Sequence, residues 1–507
     1  IATDTLLLRQ KLFTGTVDEI LFHDKSNRLT VLGDDGITAT IDLKRMEVLY
    51  NTALLFNNSD FGFSLYTPKN YYLVSPEFVN EMHFVKGTET YALSQFDLQL
   101  NRPDKVLEQI GYTDPELLRM YAKAYERRLQ KAGFNVSSGG FKDLPPVICR
   151  SAELSGTITE DSTITLQWST AASAADIAAL RLYINGQIIQ TISQPANEWT
   201  IPVSLNLGDN NIEASYLTKD GVESLPASVS IQYAPAKSPV QKTIFIGIGV
   251  SHYQDTVFNL TYAAKDAGDL AKKFQQSRDA NIYTFLDAQV TRAMLDSIRR
   301  IVQSTSIHDQ VILSFSGHGL TDNSYKFFFG SHDIDFTNPG AKGISYADIT
   351  TLLDDVPARK KLILIDACHS GETDASVTYF GKATTDTQYV REKTRSTIGK
   401  KSSGGKMMNT VKLMEQYFAD LSTASGTNVL SAAAGEEYAL ESSQWANGVF
   451  TYSVINGIFE KQADKNSDGK VMLSELRKYV QEEVLKLTGG KQQPTSRNSN
   501  PRFDWAL

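Results

Sequence analysis

The sequence predicts a multidomain protein. Its C-terminal half reads as an α/β domain, a mostly parallel sheet flanked by helices. An all-β sandwich and an N-terminal β/helical segment precede it. Three observations carry this reading. The 507 residues exceed what one hydrophobic core organises. From Lys242 onward, short apolar runs rich in branched residues alternate with amphipathic helical patterns, as parallel strands with helical crossovers do. Up to Ala234, apolar and polar residues alternate singly between turn signals, the pattern of half-buried antiparallel strands.

Residues 1–102 form a β-meander, with Glu19-Ile-Leu-Phe-His, Arg28-Leu-Thr-Val-Leu and Thr38-Ala-Thr-Ile-Asp-Leu as strands around the turn at Gly33-Asp-Asp-Gly. The meander resembles one blade of a WD-repeat propeller, without a Trp-Asp dipeptide; a small antiparallel sheet packed on its neighbours fits equally. Residues 103–146 read as two helices, the second from Pro115, followed by a Ser137-Ser-Gly-Gly and Leu144-Pro-Pro linker. Residues 147–234 hold short alternating strands and the tight-hairpin dipeptide Asn185-Gly, which suggests an immunoglobulin-like sandwich without the Cys–Trp–Cys hallmark. Residues 241–507 are the α/β domain, divided into a large part (241–377), a basic linker (378–412) and a small part (413–507).

The formal net charge of −8 argues against nucleic acid as a partner, and no apolar run is long enough to span a membrane. The only cysteines, Cys149 and Cys368, read as free thiols, so cysteine usage leaves the compartment unknown. Beginning at Ile1 without Met or an apolar leader, the chain reads as a processed product.

Two motifs carry the chemistry. Ser316-Gly-His-Gly follows the run Val311-Ile-Leu-Ser-Phe, and Asp366-Ala-Cys-His-Ser-Gly follows Lys361-Leu-Ile-Leu-Ile. Residues just past the ends of parallel strands sit where open α/β sheets keep their ligand sites. A thiolate attacks carbonyl carbon, and an imidazole generates it near neutral pH. Cys368 is therefore the candidate nucleophile and His318 the candidate base. The N–H groups of Gly319 and Cys368 are candidates for an oxyanion hole. His369, the neighbour of Cys368, is a secondary base because strand alternation points it away. A buried inert cysteine and a core histidine would each be the bland reading; two motifs in order after two strands make that reading weak.

These motifs, with Ala263–Leu270, Asn428-Val-Leu-Ser-Ala-Ala-Ala and Asn447-Gly-Val-Phe-Thr-Tyr, resemble the caspase and metacaspase superfamily of cysteine peptidases, in a bacterial form. The resemblance covers 241–507. It implies peptide-bond cleavage by a His–Cys dyad with no metal in the chemical step, and a polypeptide divided into large and small subunits. The spacing of 50 residues from His318 to Cys368 is the approximate separation found in caspases. Asp366 lies two residues before Cys368 and Ser316 two before His318, so each pair should share a strand face. An acid beside a thiolate makes sense if a substrate cation neutralises it. Animal caspases carry Gln at that position and metacaspases carry Asp, and the resemblance adds Asp266 to the same pocket. The expected partners are thus protein or peptide substrates with Arg or Lys at the cleavage site, bound by Asp266, Ser316 and Asp366. Asp366 as a mere cap of backbone groups is the alternative.

The linker 378–412 holds eight basic residues against two acids and reads as a surface loop open to self-processing. Asp464-Lys-Asn-Ser-Asp-Gly-Lys-Val-Met-Leu-Ser-Glu475 fits a calcium loop, with Asp464, Asn466, Asp468, Lys470 and Glu475 around the turn Gly469. The same residues would also serve a plain turn before a helix. The competing functional class is a catalytically silent scaffold whose β domains hold a partner.

Overall fold

The computed structural model describes residues 16–57, 60–75, 82–86, 89–112, 115–131, 148–151, 156–277, 280–322, 327–367, 369–370, 393–394, 426–432, 440–497 and 504–507. Cys368 and most of the 378–412 linker lie outside them.

Single alternation near the N-terminus is realised as an antiparallel meander of β1 (Val17–His23), β2 (Arg28–Gly33), β3 (Ile37–Asp42), β4 (Glu47–Asn57), β5 (Asp60–Tyr66) and β6 (Tyr72–Val74), paired in chain order. Val31, Ile41 and Val48 form its small core, whereas β1 at the edge is exposed along its whole length. A hairpin, β7 (His83–Lys86) and β8 (Glu89–Ala92), leads into α1 (Asp97–Leu100), α2 (Pro103–Ile110) and α3 (Pro115–Lys131). Pro103 and Pro115 each open a helix, where a missing N–H costs no hydrogen bond.

The next unit faces two sheets across one core. Strands β9 (Ile148–Ser151), β11 (Thr163–Thr170) and β14 (Glu198–Ser204) make the smaller sheet. The larger runs β10 (Thr157–Thr159), β16 (Ala227–Tyr233), β15 (Gly208–Thr218), β12 (Ile177–Ile184) and β13 (Gln187–Ile192). Trp168, Ile201 and Val203 from one sheet meet Leu180, Leu182 and Tyr216 from the other. Asn185 and Gly186 both adopt left-handed φ (51° and 78°), as the two-residue turn joining β12 to β13 demands.

The C-terminal domain is built on a six-stranded sheet. Its order is β18 (Ala280–Leu286), β17 (Thr243–Gly249), β19 (Gln310–Ser316), β23 (Lys360–Asp366), β26 (Thr427–Ser431) and β29 (Thr495–Arg497). The first five strands are parallel and β29 is antiparallel. Crossovers run through α4 (Ala263–Ser277), α5 (Met294–Gln303) and α6 (Tyr346–Thr351). α5 and α6 cover one face. The other face is covered by α4, α7 (Val449–Phe459) and α8 (Leu473–Leu487). Such strands are buried on both sides, and every residue of β17 and β19 is buried. Beyond the sheet's C-terminal edge stands a small sheet of β22 (Ile344–Ser345), β21 (Phe327–Phe329), β20 (Gly319–Thr321) and β24 (His369–Ser370). A third sheet joins β25 (Lys393–Thr394), β27 (Leu440–Ser442) and β28 (Asn447–Gly448).

Arg359, just before β23, joins the two-sheet unit to this domain. Its guanidinium donates to Asn206 Oδ1 at 2.7 Å and to the Ser204 carbonyl at 2.8 Å. Burial pulls that guanidinium down to about 10. No helix among the described residues is long and apolar enough to cross a membrane.

Gly249, at the end of β17, lets the start of α4 approach the sheet. A Cβ there would lie 2.7 Å from the Ala263 carbonyl oxygen and 2.8 Å from Ala264 Cα, both backbone atoms that cannot swing aside. Gly249→Ala should therefore destabilise the domain by about 1–3 kcal/mol, the usual cost of overpacking, measured as a fall in the urea midpoint.

Candidate active site

Strands β19 and β23 end together, with Ser316 paired to Asp366 and the Gly317 N–H donating to the Asp366 carbonyl at 3.2 Å. Beyond these ends the chain pairs again, in parallel, with Leu320 opposite Ser370. The offset between partners is 50 residues on both sides.

His318 is 2% exposed and held by the segment after β17. Its Nε2 lies 2.8 Å from the Phe258 carbonyl oxygen. A carbonyl only accepts, so Nε2 carries a proton, and Nδ1 is the nitrogen whose lone pair a neutral ring would present. The backbone N–H of His318 donates to Tyr253 Oη at 2.9 Å, and the Tyr253 ring packs beside the imidazole with centroids 5.0 Å apart. Phe258 and Phe336, stacked at 3.7 Å, close the apolar side. Tyr253 is fixed in turn by its own N–H, which donates to Asn259 Oδ1 at 2.8 Å. Asp287 anchors the start of the segment, accepting from the N–H groups of Ser251 and His252. Burial pushes its carboxyl up, but the His252 ring and these two amides outweigh that and hold it below the usual range.

Gly317 allows this arrangement, since a Cβ there would meet Tyr253 Oη at 3.0 Å and the Phe329 ring at 3.1 Å. Gly319 faces Phe329, and the Gly330 N–H donates to the His318 carbonyl at 2.8 Å. That bond makes Gly319 and Phe329 a non-hydrogen-bonded pair, so the Gly319 N–H points away from β21, to the flank where β24 pairs.

The three residues assigned to a pocket are brought together. Ser316 Oγ donates to Asp266 Oδ2 at 3.2 Å, and Ser316 neighbours Asp366 across the sheet. Asp266 is fully buried and Asp366 is 2% exposed. Both carboxylates accept from the opening turn of α7. The Gly448 N–H reaches Asp266 Oδ1 at 3.1 Å, Asn447 Nδ2 reaches the same oxygen at 2.8 Å, and Thr451 Oγ1 reaches Asp366 Oδ2 at 2.6 Å. A helix N-terminus stabilises negative charge. Buried Glu441 caps α4 in the same manner, accepting from the N–H groups of Thr261 and Tyr262.

Sequence reasoning quoted Asn447-Gly-Val-Phe-Thr-Tyr without giving any of these residues a role, and it passed over Glu441, Tyr253 and Phe258. Nothing in the local pattern marks a backbone carbonyl or a cap that acts across 60 or 180 residues.

In the proposed calcium loop, Asp464 accepts from the N–H groups of Asp468 and Gly469, Asn466 Oδ1 from Asp468, and Asp468 from Lys470. Gly469 takes the left-handed φ of +81° that such a loop needs. Glu475 turns back to the Met472 N–H. Among the described residues no three His, Cys, Asp or Glu side chains are grouped to hold a metal ion.

The profile of a family described as the caspase domain matches residues 244–504. Among solved structures, a Geobacter sulfurreducens protein is similar at 17% identity over 50% of this chain and 92% of its own, with a TM-score of 0.33. Caspase-1 from Spodoptera frugiperda is similar at 11% identity over 51% and 88%, with a TM-score of 0.31. The fibronectin(III)-like modules of Clostridium thermocellum CbhA are similar at 16% over 18% and 49%, with a TM-score of 0.16. No curated protein matches. The matched region takes in the six-stranded sheet, all but Thr243 at the start of β17, with its crossover helices and amounts to more than half of the chain, which therefore belongs to the caspase-domain family of peptidases.

Proposed function

We propose that the protein is a cysteine endopeptidase that cleaves after Arg or Lys with His318 and Cys368. Membership of the family suggests the cysteine peptidase; the pairing register supports the dyad. Ser316 with Asp366 and Leu320 with Ser370 pair at one offset of 50 residues, so the described ends of the two motifs run side by side. In this mechanism, the lone pair on His318 Nδ1 takes the thiol proton, and the thiolate attacks the scissile carbonyl carbon. The oxyanion meets the N–H groups of Gly319 and Cys368. The imidazolium then protonates the leaving amine as the C–N bond breaks. Water, deprotonated by the same ring, cleaves the resulting thioester. The Phe258 carbonyl is the third group that orients the base.

Asp266, Ser316 and Asp366 form the proposed pocket for the basic side chain. The donors from α7 keep two buried carboxylates in one place, so a substrate cation would meet an acidic floor. Breaking a desolvated ion pair costs ~3–5 kcal/mol, which is at least about a hundredfold in rate constant. Fluorogenic peptides ending in Arg, Lys, Asp and Leu test this. The Arg and Lys peptides should exceed the Leu peptide by about a hundredfold, and Cys368→Ala should abolish cleavage. Preference for Asp would overturn the pocket.

A basic-specific enzyme would cut its own 378–412 linker. Mass spectrometry of incubated wild type and Cys368→Ala should show fragments ending at Arg or Lys in the wild type alone; equal fragments in both would dismiss self-processing. We further propose that the 464–475 loop takes calcium through Asp464, Asn466, Asp468, the Lys470 carbonyl and Glu475. Calorimetric titration should give a binding heat that Asp464→Ala removes. The two-sheet unit is proposed as an immunoglobulin-like sandwich that restrains activation from the foot of β23, and the N-terminal meander as a propeller-like module.

A further inference from the structure

The carboxylates of the proposed pocket lie in the large part of the domain, while most of the groups that fix them lie in the small part. We propose that Thr451 is a positioning residue that sets the rotation of the Asp366 carboxylate and thereby favours a guanidinium over an ammonium at the cleavage position. This rests on the basic-pocket reading above and goes beyond it by naming what divides Arg from Lys.

Thr451 is 1% exposed and supplies two donors to one oxygen. Its Oγ1 donates to Asp366 Oδ2 at 2.6 Å and its N–H to the same atom at 3.3 Å. With Oδ2 tied twice, the plane of the carboxylate is fixed and the direction of Oδ1 follows from it. Asp266 is secured differently, through donors to both of its oxygens from Ser316, Asn447 and Gly448. Asn447 also donates to Asp269 Oδ2 at 3.0 Å, which anchors it to α4. Removing the hydroxyl of Thr451 therefore takes away the shorter of its two hydrogen bonds to Asp366, 2.6 Å against 3.3 Å, and leaves the named donors to Asp266 in place.

The two basic side chains respond differently to such freedom. A guanidinium is a flat fork whose paired N–H groups need a carboxylate in a matching plane. An ammonium is a compact charge with rotatable donors, indifferent to that plane. A loosened Asp366 should consequently cost the Arg substrate more than the Lys substrate. A residue that served only to stabilise the fold would affect both equally.

The experiment compares kcat and KM of the full chain on matched peptides ending in Arg and Lys. Thr451→Val keeps the side-chain shape and removes the hydroxyl. It should lower the Arg-to-Lys ratio of kcat/KM by about tenfold, chiefly through KM for Arg, the scale of one lost hydrogen bond to a charged group. Thr451→Ser keeps the hydroxyl and should retain the wild-type ratio. If the Val variant does not fold, Thr451→Ala removes the same hydroxyl without added bulk, and the same ratio decides. A ratio unmoved in the hydroxyl-free variant, or equal losses on both peptides, overturns the inference alone. A wild type that does not prefer basic peptides overturns the pocket reading and this inference together.

Discussion

The parallel pairing of β19 with β23 is the constraint from which the rest of the site follows. Side chains of a strand alternate between faces, so the register decides what each face receives. Val311, Leu313, Phe315, Ile363 and Ile365 enter the core under α5 and α6. Ile312, Leu362 and Leu364 enter the core under α4 and α7. Ser316 and Asp366 continue this second series and arrive, side by side, where α4 brings Asp266 and α7 begins. A slip of one residue would send Asp366 to the wrong face and strand it among apolar side chains.

Burying two carboxylates is costly unless each is met by donors. Here all the named donors but Ser316 Oγ come from one short stretch, the Asn447 side chain, the Gly448 N–H and both groups of Thr451. The helix that follows is largely apolar and buried along its length, so its opening turn is anchored by packing rather than by the acids it serves. Electrostatics and packing thus support each other: the core fixes α7, and α7 fixes the acids. Glu441 repeats the arrangement in the reverse sense, lending a carboxylate from β27 to the start of α4.

Much of the C-terminal fold was legible because buried parallel strands have an unmistakable texture. The runs before Ser316 and Asp366 could hardly be anything else, and the sheet contains both as β19 and β23. The convergence of Asp266 with Ser316 was expected from resemblance and not from spacing; it is now seen as a 3.2 Å hydrogen bond. What could not be read were the supports. Phe258 acts through its carbonyl, which every residue has, and Tyr253 through a hydroxyl that reaches a backbone N–H. Such roles depend on where a chain turns back in space, which periodicity does not encode. The end of α7 at Phe459 was likewise not legible. Left-handed Lys461 follows that helix, and α-helical pattern alone does not foresee a backbone reversal.

Arg359 gives the accessory β unit a definite station. It grips Ser204 and Asn206 at the very beginning of β23, while Asp366 closes the same strand. Seven residue steps of extended chain separate the two, roughly 23 Å of strand at about 3.3 Å per residue. Through this contact the accessory unit is thus moored at the opposite end of β23 from Asp366. A pull on Arg359 would therefore act along the axis of β23, toward the strand end that carries Asp366.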